Sequence, residues 1–509
     1  MEFTRRRFCG TSLAALAAAG IRLPVLADGA QPNLKVGILS DIHVTAVGNA
    51  NWFEKALRYF DSVKVDAVLI TGDLTTWNKL PEFEAVAATW FKVFPDDTRS
   101  DGAHVERLFI TGNHDVDGWA YEGARFKTKE EALPQSFFFH REEFWKRLFH
   151  EDYKPVMVKE VKGYTFVLQN WMSILEHERG HTLAAGFKNE VSPLPQVVVE
   201  LGDRLRRKKP FFYAQHWQIA DTVNSSWLLR GQRFGNGQDD GLARKVLKDY
   251  PNCVAFTGHS HFSLTDEQSI WQGEFTSVNC SCARGYAFTN PGRENGFACP
   301  DFNRDPPFEM DKFDHQSVRQ GLVMEVFDDR ITLHRREFTY DQVLGADWII
   351  PLFDGATVPP SGTPKYDVKT RAAAAKPPVF AKDAKVEVKE IAEGYRRLSH
   401  GTGGLDKKDP HPQVVVSFPP ITTATSPSRG FDFSVRAETR IADIVRTLQE
   451  RRVFSPNAYQ AETRDTAPCT CNFPKSELPK KVEIRFAVRP YDCYGNAGEE
   501  IYSKWMRLS

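Results

Sequence analysis

The chain has 509 residues, more than one hydrophobic core usually serves, so two or three domains are the expectation. Lys plus Arg and Asp plus Glu each total 66, leaving no formal net charge. That balance excludes a bulk electrostatic field able to hold nucleic acid or an anionic membrane.

Residues 1–30 read as a targeting segment: Arg5, Arg6 and Arg7, the apolar run SLAALAAAGI, then small residues near Ala27 where a peptidase could cut. The apolar run is too short for a comfortable membrane span, and no later segment is apolar for long enough. TRRRFCG, with its paired arginines followed by Phe8, resembles the twin-arginine export signal. It implies a bacterial protein exported already folded, to the periplasm or beyond; an ordinary secretory signal or an uncleaved anchor is the alternative. Loss of Cys9 would leave seven of eight cysteines, an odd number. Cys280 with Cys282, and Cys469 with Cys471, are spaced too closely for a zinc knuckle, and a disulfide from the later pair to Cys493 stays open.

From residue 31 to 345 short β-rich runs alternate with amphipathic helical stretches, the pattern of a sheet covered by helices. VGILS, DAVLI, ERLFI, YTFVLQ, PFFYA and NCVAF are apolar and short, as strands buried on both faces should be. WFEKALRYFDSV, FEAVAATWFKVF, EEFWKRLF and VVVELGDRLRRKK carry helical spacing, and the RLRRKK run reads as a solvated helix end. A polar, Gly-rich insertion from Trp217 to Asp240 is expected as a loop over the site. Residues 346–385 are Pro- and Ala-rich and read as a linker. From 386 to 509 the pattern alternates as β, which argues for a small β-sandwich domain. Its closing stretch FAVRPYDCYGNAGEEIYSKWMRLS resembles the last hairpin of a fibronectin type III domain.

The polar residues follow the apolar runs. Asp41 and His43 follow the first, Gly72 and Asp73 the second, and Gly112, Asn113, His114 and Asp115 the third. His216 follows PFFYA, and Gly258, His259, Ser260 and His261 follow NCVAF. Groups at the carboxyl ends of strands converge in one crevice. The ordered series DIH, GD, GNHD, a lone His, then GHSH resembles the calcineurin-like metallophosphoesterase superfamily, with a two-sheet sandwich flanked by helices as the implied fold. A single piece would mean little; five in order, each after a strand, point to a binuclear metal site.

The resemblance implies that Asp41, His43 and His261 hold one metal, that Asn113, His216 and His259 hold another, and that Asp73 bridges them. His nitrogens and carboxylate oxygens suit manganese, iron or zinc. It further implies attack of metal-activated hydroxide on a phosphate mono- or diester, with His114 as general acid and Asp115 orienting its imidazole. Purple acid phosphatases carry Tyr three positions after the bridging Asp; here Thr76 stands there, so their charge-transfer iron site is not expected. TGDLTTWNKLPEFE looks like the class III cyclic-nucleotide phosphodiesterases, with Trp77 and Asn78 as departures. No substrate-binding residue is legible. His140, His150, His177 and His181 read as solvated, with His181 alone placed where a substrate contact could lie, and Arg230 and Arg233 read equally as contacts to a substrate phosphate or as spare loop charge. Two other readings stand beside the phosphoesterase: a non-catalytic protein binding carbohydrate or protein through its C-terminal domain, and a metal-dependent nuclease, which the balanced charge disfavours.

Overall fold

The computed structural model describes residues 31–45, 50–175, 183, 188–224, 226, 240–283, 308–309, 319–396, 407–409, 411–455, 461 and 468–509. Residues 1–30, expected as a targeting segment, His177, His181, Arg230, Arg233 and most of the 217–240 insertion therefore lie outside the described residues. Among the described residues no helix is long and apolar enough to cross a membrane.

Strands β1 (Leu34–Leu39), β2 (Ala67–Thr71) and β3 (Glu106–Ile110) run parallel in the first sheet. The second sheet uses β4 (Val156–Val161), β5 (Tyr164–Gln169), β6 (Phe211–Ala214), β7 (Cys253–Thr257), β8 (Ile270–Gln272) and β9 (Thr276–Asn279), ordered β4-β5-β6-β7-β9-β8. Its four central strands are parallel. After β10 (Phe308–Glu309), the chain returns to the first sheet as β11 (Gln320–Val326), β12 (Arg330–Glu337), β13 (Gln342–Val343) and β14 (Trp348–Pro351).

The two-residue period of a strand explains why both faces of the second sheet are apolar. Phe166, Leu168, Phe212 and Phe256 point into the core shared with Val36, Ile38, Leu69 and Phe109 of the first sheet. The alternate residues Val167, Tyr213 and Ala255 pack instead on Leu194, Val198 and Leu247 of two helices, Leu194–Leu201 and Leu242–Leu247. Helices Ala50–Ser62 and Leu80–Val93 contribute Phe53, Phe60, Phe83 and Trp90 to the first core, each such ring contributing about 1.5–3 kcal/mol on burial. Gly37 lets Phe60 lie against β1, since a Cβ there would come within 2.6 Å of the ring.

The stretch expected as a linker contains β14, which pairs with β12, and a short helix, Val368–Ala374. Trp348 and Ile350 are buried, so local alternation outweighs the Pro and Ala around it. The RLRRKK run does not extend a helix: the preceding one ends at Gly202 (φ 45°), and the cations then spread over Glu160, Asp354 and the rings of Tyr164 and Tyr250.

Further strands are β15 (Glu387–Ile391), β16 (Gly394–Arg396), β17 (Lys407–Asp409), β18 (Gln413–Phe418), β19 (Asp432–Ile441), β20 (Ile444–Phe454), β21 (Cys469–Pro474), β22 (Ile484–Tyr491) and β23 (Ile501–Tyr502). Sheets β15-β18-β21 and β10-β20-β19-β22-β23 enclose one apolar core, including Val416, Phe433, Phe473 and Phe486. Cys469, Cys471 and Cys493 are all buried.

Candidate metal centre

Parallel strands end on the same side, so the turns after β1, β2, β3, β6 and β7 meet. Backbone bonds lock them together: Asp41 N–H donates to the Gly72 carbonyl (3.0 Å), His43 to Asp73 (2.9 Å) and Gly258 to His216 (2.8 Å). Side chains then crowd closely enough to demand glycine beside them. A Cβ on Gly72, whose φ is +98°, would sit 2.5 Å from His216 Nδ1, one on Gly112 would sit 2.5 Å from Asp73 N, and one on Gly258 would overlap Ser40 Oγ. Asp41, His43, Asp73, His259 and His261 themselves adopt positive φ, between 43° and 64°. Asp and His tolerate that region better than most residues, yet each departure costs on the order of 1 kcal/mol.

The seven expected ligands come together around Asp73. Its Oδ2 lies 3.4 Å from His43 Nε2 and 3.3 Å from His216 Nε2, while Oδ1 accepts the His114 N–H at 2.9 Å. On one side His261 Nε2 is 2.9 Å from Asp41 Oδ1, and on the other Asn113 Oδ1 is 3.0 Å from both His216 Nε2 and His259 Nδ1. Donor atoms of Asp41, His43, Asp73 and His261 lie within 4.8 Å of one another, as do those of Asp73, His216 and His259.

Neighbouring groups set which atom faces inward. The Thr71 carbonyl takes the Nδ1–H of His216 at 2.8 Å, so Nε2 is the nitrogen that faces Asp73 and can give up its proton to a metal. Tyr121 Oη accepts from Asn113 Nδ2 at 2.9 Å, so the amide oxygen turns toward the two histidines. Ser40 Oγ and the His259 N–H both donate to Asp41 Oδ2. Sequence reasoning missed Ser40, Thr71 and Tyr121; the last lies eight residues beyond its partner, with no motif to mark it.

Burial alone would raise the Asp73 carboxyl, but His216, His114 and His43 hold it well below the usual range. Burial alone would lower His216; the carboxylates of Asp73 and Asp41 push it up to about 9. Burial opposes the charged form of His261 too, and Asp41 raises it regardless. Such a cage attracts cations, and its all-nitrogen-and-oxygen donor set with a carboxylate between two halves fits a metal pair.

His114 is half-buried and faces outward beside Trp77 and Tyr121, its ring 4.8 Å from that of His43. Its Nδ1 meets the Thr76 carbonyl at 2.7 Å. The expectation that Asp115 orients this imidazole is corrected here. The Asp115 carboxylate accepts from Gly112 N, Leu74 N, Thr75 N and Thr75 Oγ1 at 2.7–2.9 Å, which ties the β2 and β3 turns together. Burial, then the Asp73 charge, raises it to about 7. Thr76 Oγ1 bonds the His43 carbonyl. Across the site, Trp171 and Trp217 meet edge to face (4.4 Å) beside His259.

A family model described as calcineurin-like phosphoesterase matches residues 34–263. No curated protein matches the chain. Among solved structures, the chain is similar to a dimetal phosphatase from Danio rerio (12% identity, 64% of this chain and 100% of that one, TM-score 0.37). It is also similar to a purple acid phosphatase from yellow lupin seeds (12% identity, 63% and 55% covered, TM-score 0.36). The matched residues span every strand-end turn of the centre, so this region of the chain is similar to the calcineurin-like phosphoesterases.

Proposed function

We propose that the protein is an exported hydrolase of a small phosphate mono- or diester, working with two metal ions such as manganese, iron or zinc. The observation that carries this reading is Asp73 Oδ2, set between His43 and His216 with a second group of ligands on either side. Asp41, His43 and His261 would hold one ion and Asn113, His216 and His259 the other, with Asp73 common to both. When bound, the pair supplies Lewis acidity toward phosphoryl oxygens and makes water more acidic.

The chain's own groups do the rest. A carbonyl can only accept, so the Thr76 contact keeps a proton on His114 Nδ1 and makes Nε2 the exchanging atom. As water oxygen bonds to phosphorus and the ester P–O bond breaks, Nε2 of the imidazolium gives its proton to the departing oxygen. Trp77 and Tyr121 flank that imidazole and limit how it can tilt. Export rests on the Arg5–Arg6 leader, and the C-terminal domain is assigned to carbohydrate or protein contact.

Hydrolysis of bis-p-nitrophenyl phosphate and p-nitrophenyl phosphate by metal-depleted and manganese-repleted protein tests the reading. Asp73→Asn should bind less metal and lose turnover. A metal-independent rate, or an Asp73→Asn variant as active as the parent, would overturn it.

A further inference from the structure

The β19–β20 hairpin turns at Ala442 and Asp443, both at positive φ (47° and 68°), the two-residue turn whose twist suits paired strands. Register with β22 runs only as far as Thr439, opposite Ile484, so residues 440–445 project past the sheet. A projecting tip ordinarily carries small polar residues. This one exposes Ile441 (59%), Ile444 (57%), Val445 (42%) and Leu448 (37%). Ile441 and Ile444 face each other across the ladder and Val445 lies on the opposite face, so both faces of the tip are apolar. A cluster of this kind marks an interaction surface.

Behind the apolar tip stands a collar of cations. Arg440 and Arg446 are exposed on the two strands, and Lys480 and Lys481 are exposed in the turn entering β22 at the same end of the sheet. The acids nearby are Asp443, at a turn position that Asp tolerates, Glu483, which pairs with Arg440 at 2.8 Å, and Glu438, which pairs with Arg485 at 2.9 Å, leaving Arg446, Lys480 and Lys481 as the excess of positive charge. Trp505 completes the collar: the guanidinium groups of Arg440 and Arg485 lie 5.0 and 4.9 Å from its ring centre. Tryptophan with an apolar body and a polar edge favours the boundary between lipid and water.

We propose that this hairpin tip docks on an anionic phospholipid surface, the aliphatic side chains entering the headgroup region and the collar meeting lipid phosphates. A second copy is the poorer occupant, because a two-fold contact at the tip would bring the same cations face to face. The chain's zero net charge is no obstacle, since attraction to a lipid surface acts locally, within about a Debye length. The proposal is independent of the hydrolytic reading.

Co-sedimentation of the full protein with vesicles tests it, using phosphatidylcholine alone and mixtures in which about a third of the lipid is phosphatidylglycerol. The parent protein should partition onto the anionic vesicles and be released by salt. Ile441→Ser with Ile444→Ser should weaken partitioning about tenfold or more. Arg440→Gln with Arg446→Gln should weaken it and flatten its salt dependence, and both variants should keep the parent's thermal unfolding. Absence of binding, equal binding to neutral vesicles, or variants that bind as well as the parent would overturn the proposal. So would a parent dimer, seen by light scattering, that the isoleucine variant converts to monomer.

Discussion

Tyr121→Phe removes one oxygen atom from the surroundings of Asn113 and leaves every expected ligand in place. In the parent, Tyr121 Oη accepts the amide N–H at 2.9 Å and so holds Asn113 Oδ1 toward His216 and His259. Without it the amide can rotate and present nitrogen to the same two imidazoles, and a protonated amide nitrogen is no metal ligand. The lost hydrogen bond is worth about 1 kcal/mol, and removing an outer-shell partner typically lowers metal affinity about 10–100-fold, or about 1.4–2.7 kcal/mol. Tyr121 is half-buried, so the fold should survive. Competition against a fluorescent chelator would measure both binding steps on stripped protein. One should weaken within that range, the other should stay near the parent, and excess metal should restore turnover. Two unchanged affinities would refute the assignment of Asn113 through Tyr121.

Three further outcomes follow from the same geometry. His114→Ala should retain both metals and lose turnover about a hundredfold or more, read from metal analysis beside steady-state rates on one sample. Because Asp73 and Asp41 hold His216 protonated up to about pH 9 in the metal-free cage, metal uptake at neutral pH should release protons and tighten as pH rises; calorimetry in two buffers of different ionisation enthalpy measures the release. Asp347 and Glu325 raise His334 from its ordinary 6.5 to about 9. A raised folded-state value contributes stability that is complete below about pH 6.5 and lost as pH climbs through about 9. After solvent screening the effect should be about 1 kcal/mol or less, visible in denaturant titrations of the parent and absent in His334→Gln.

The sequence showed the centre well because its logic is local: a buried apolar run, then a ligand, repeated at β1, β2, β3, β6 and β7. Asp115 was misjudged for a matching reason. Adjacency to His114 suggested a partnership, but at the start of the short helix Asn113–Val116 its carboxylate turns back to three backbone N–H groups, and only coordinates show a carbonyl from another turn, Thr76, meeting the imidazole. Composition misled at 346–385, where Pro and Ala masked the alternation of Trp348 and Ile350. The exposed hairpin tip was equally hidden, since residues 386–509 read only as a general β alternation until the register with β22 showed where support stops.

Five of the proposed ligand residues hold left-handed backbone angles that glycine would occupy freely. Carboxylates and imidazoles thus stand where the polypeptide itself would favour a residue with no side chain. Substituting glycine for Asp73 should ease the main chain by about 1 kcal/mol but strand the buried imidazoles of His43 and His216 without their anion, so the strain is the lesser term and the carboxylate holds its own turn in place.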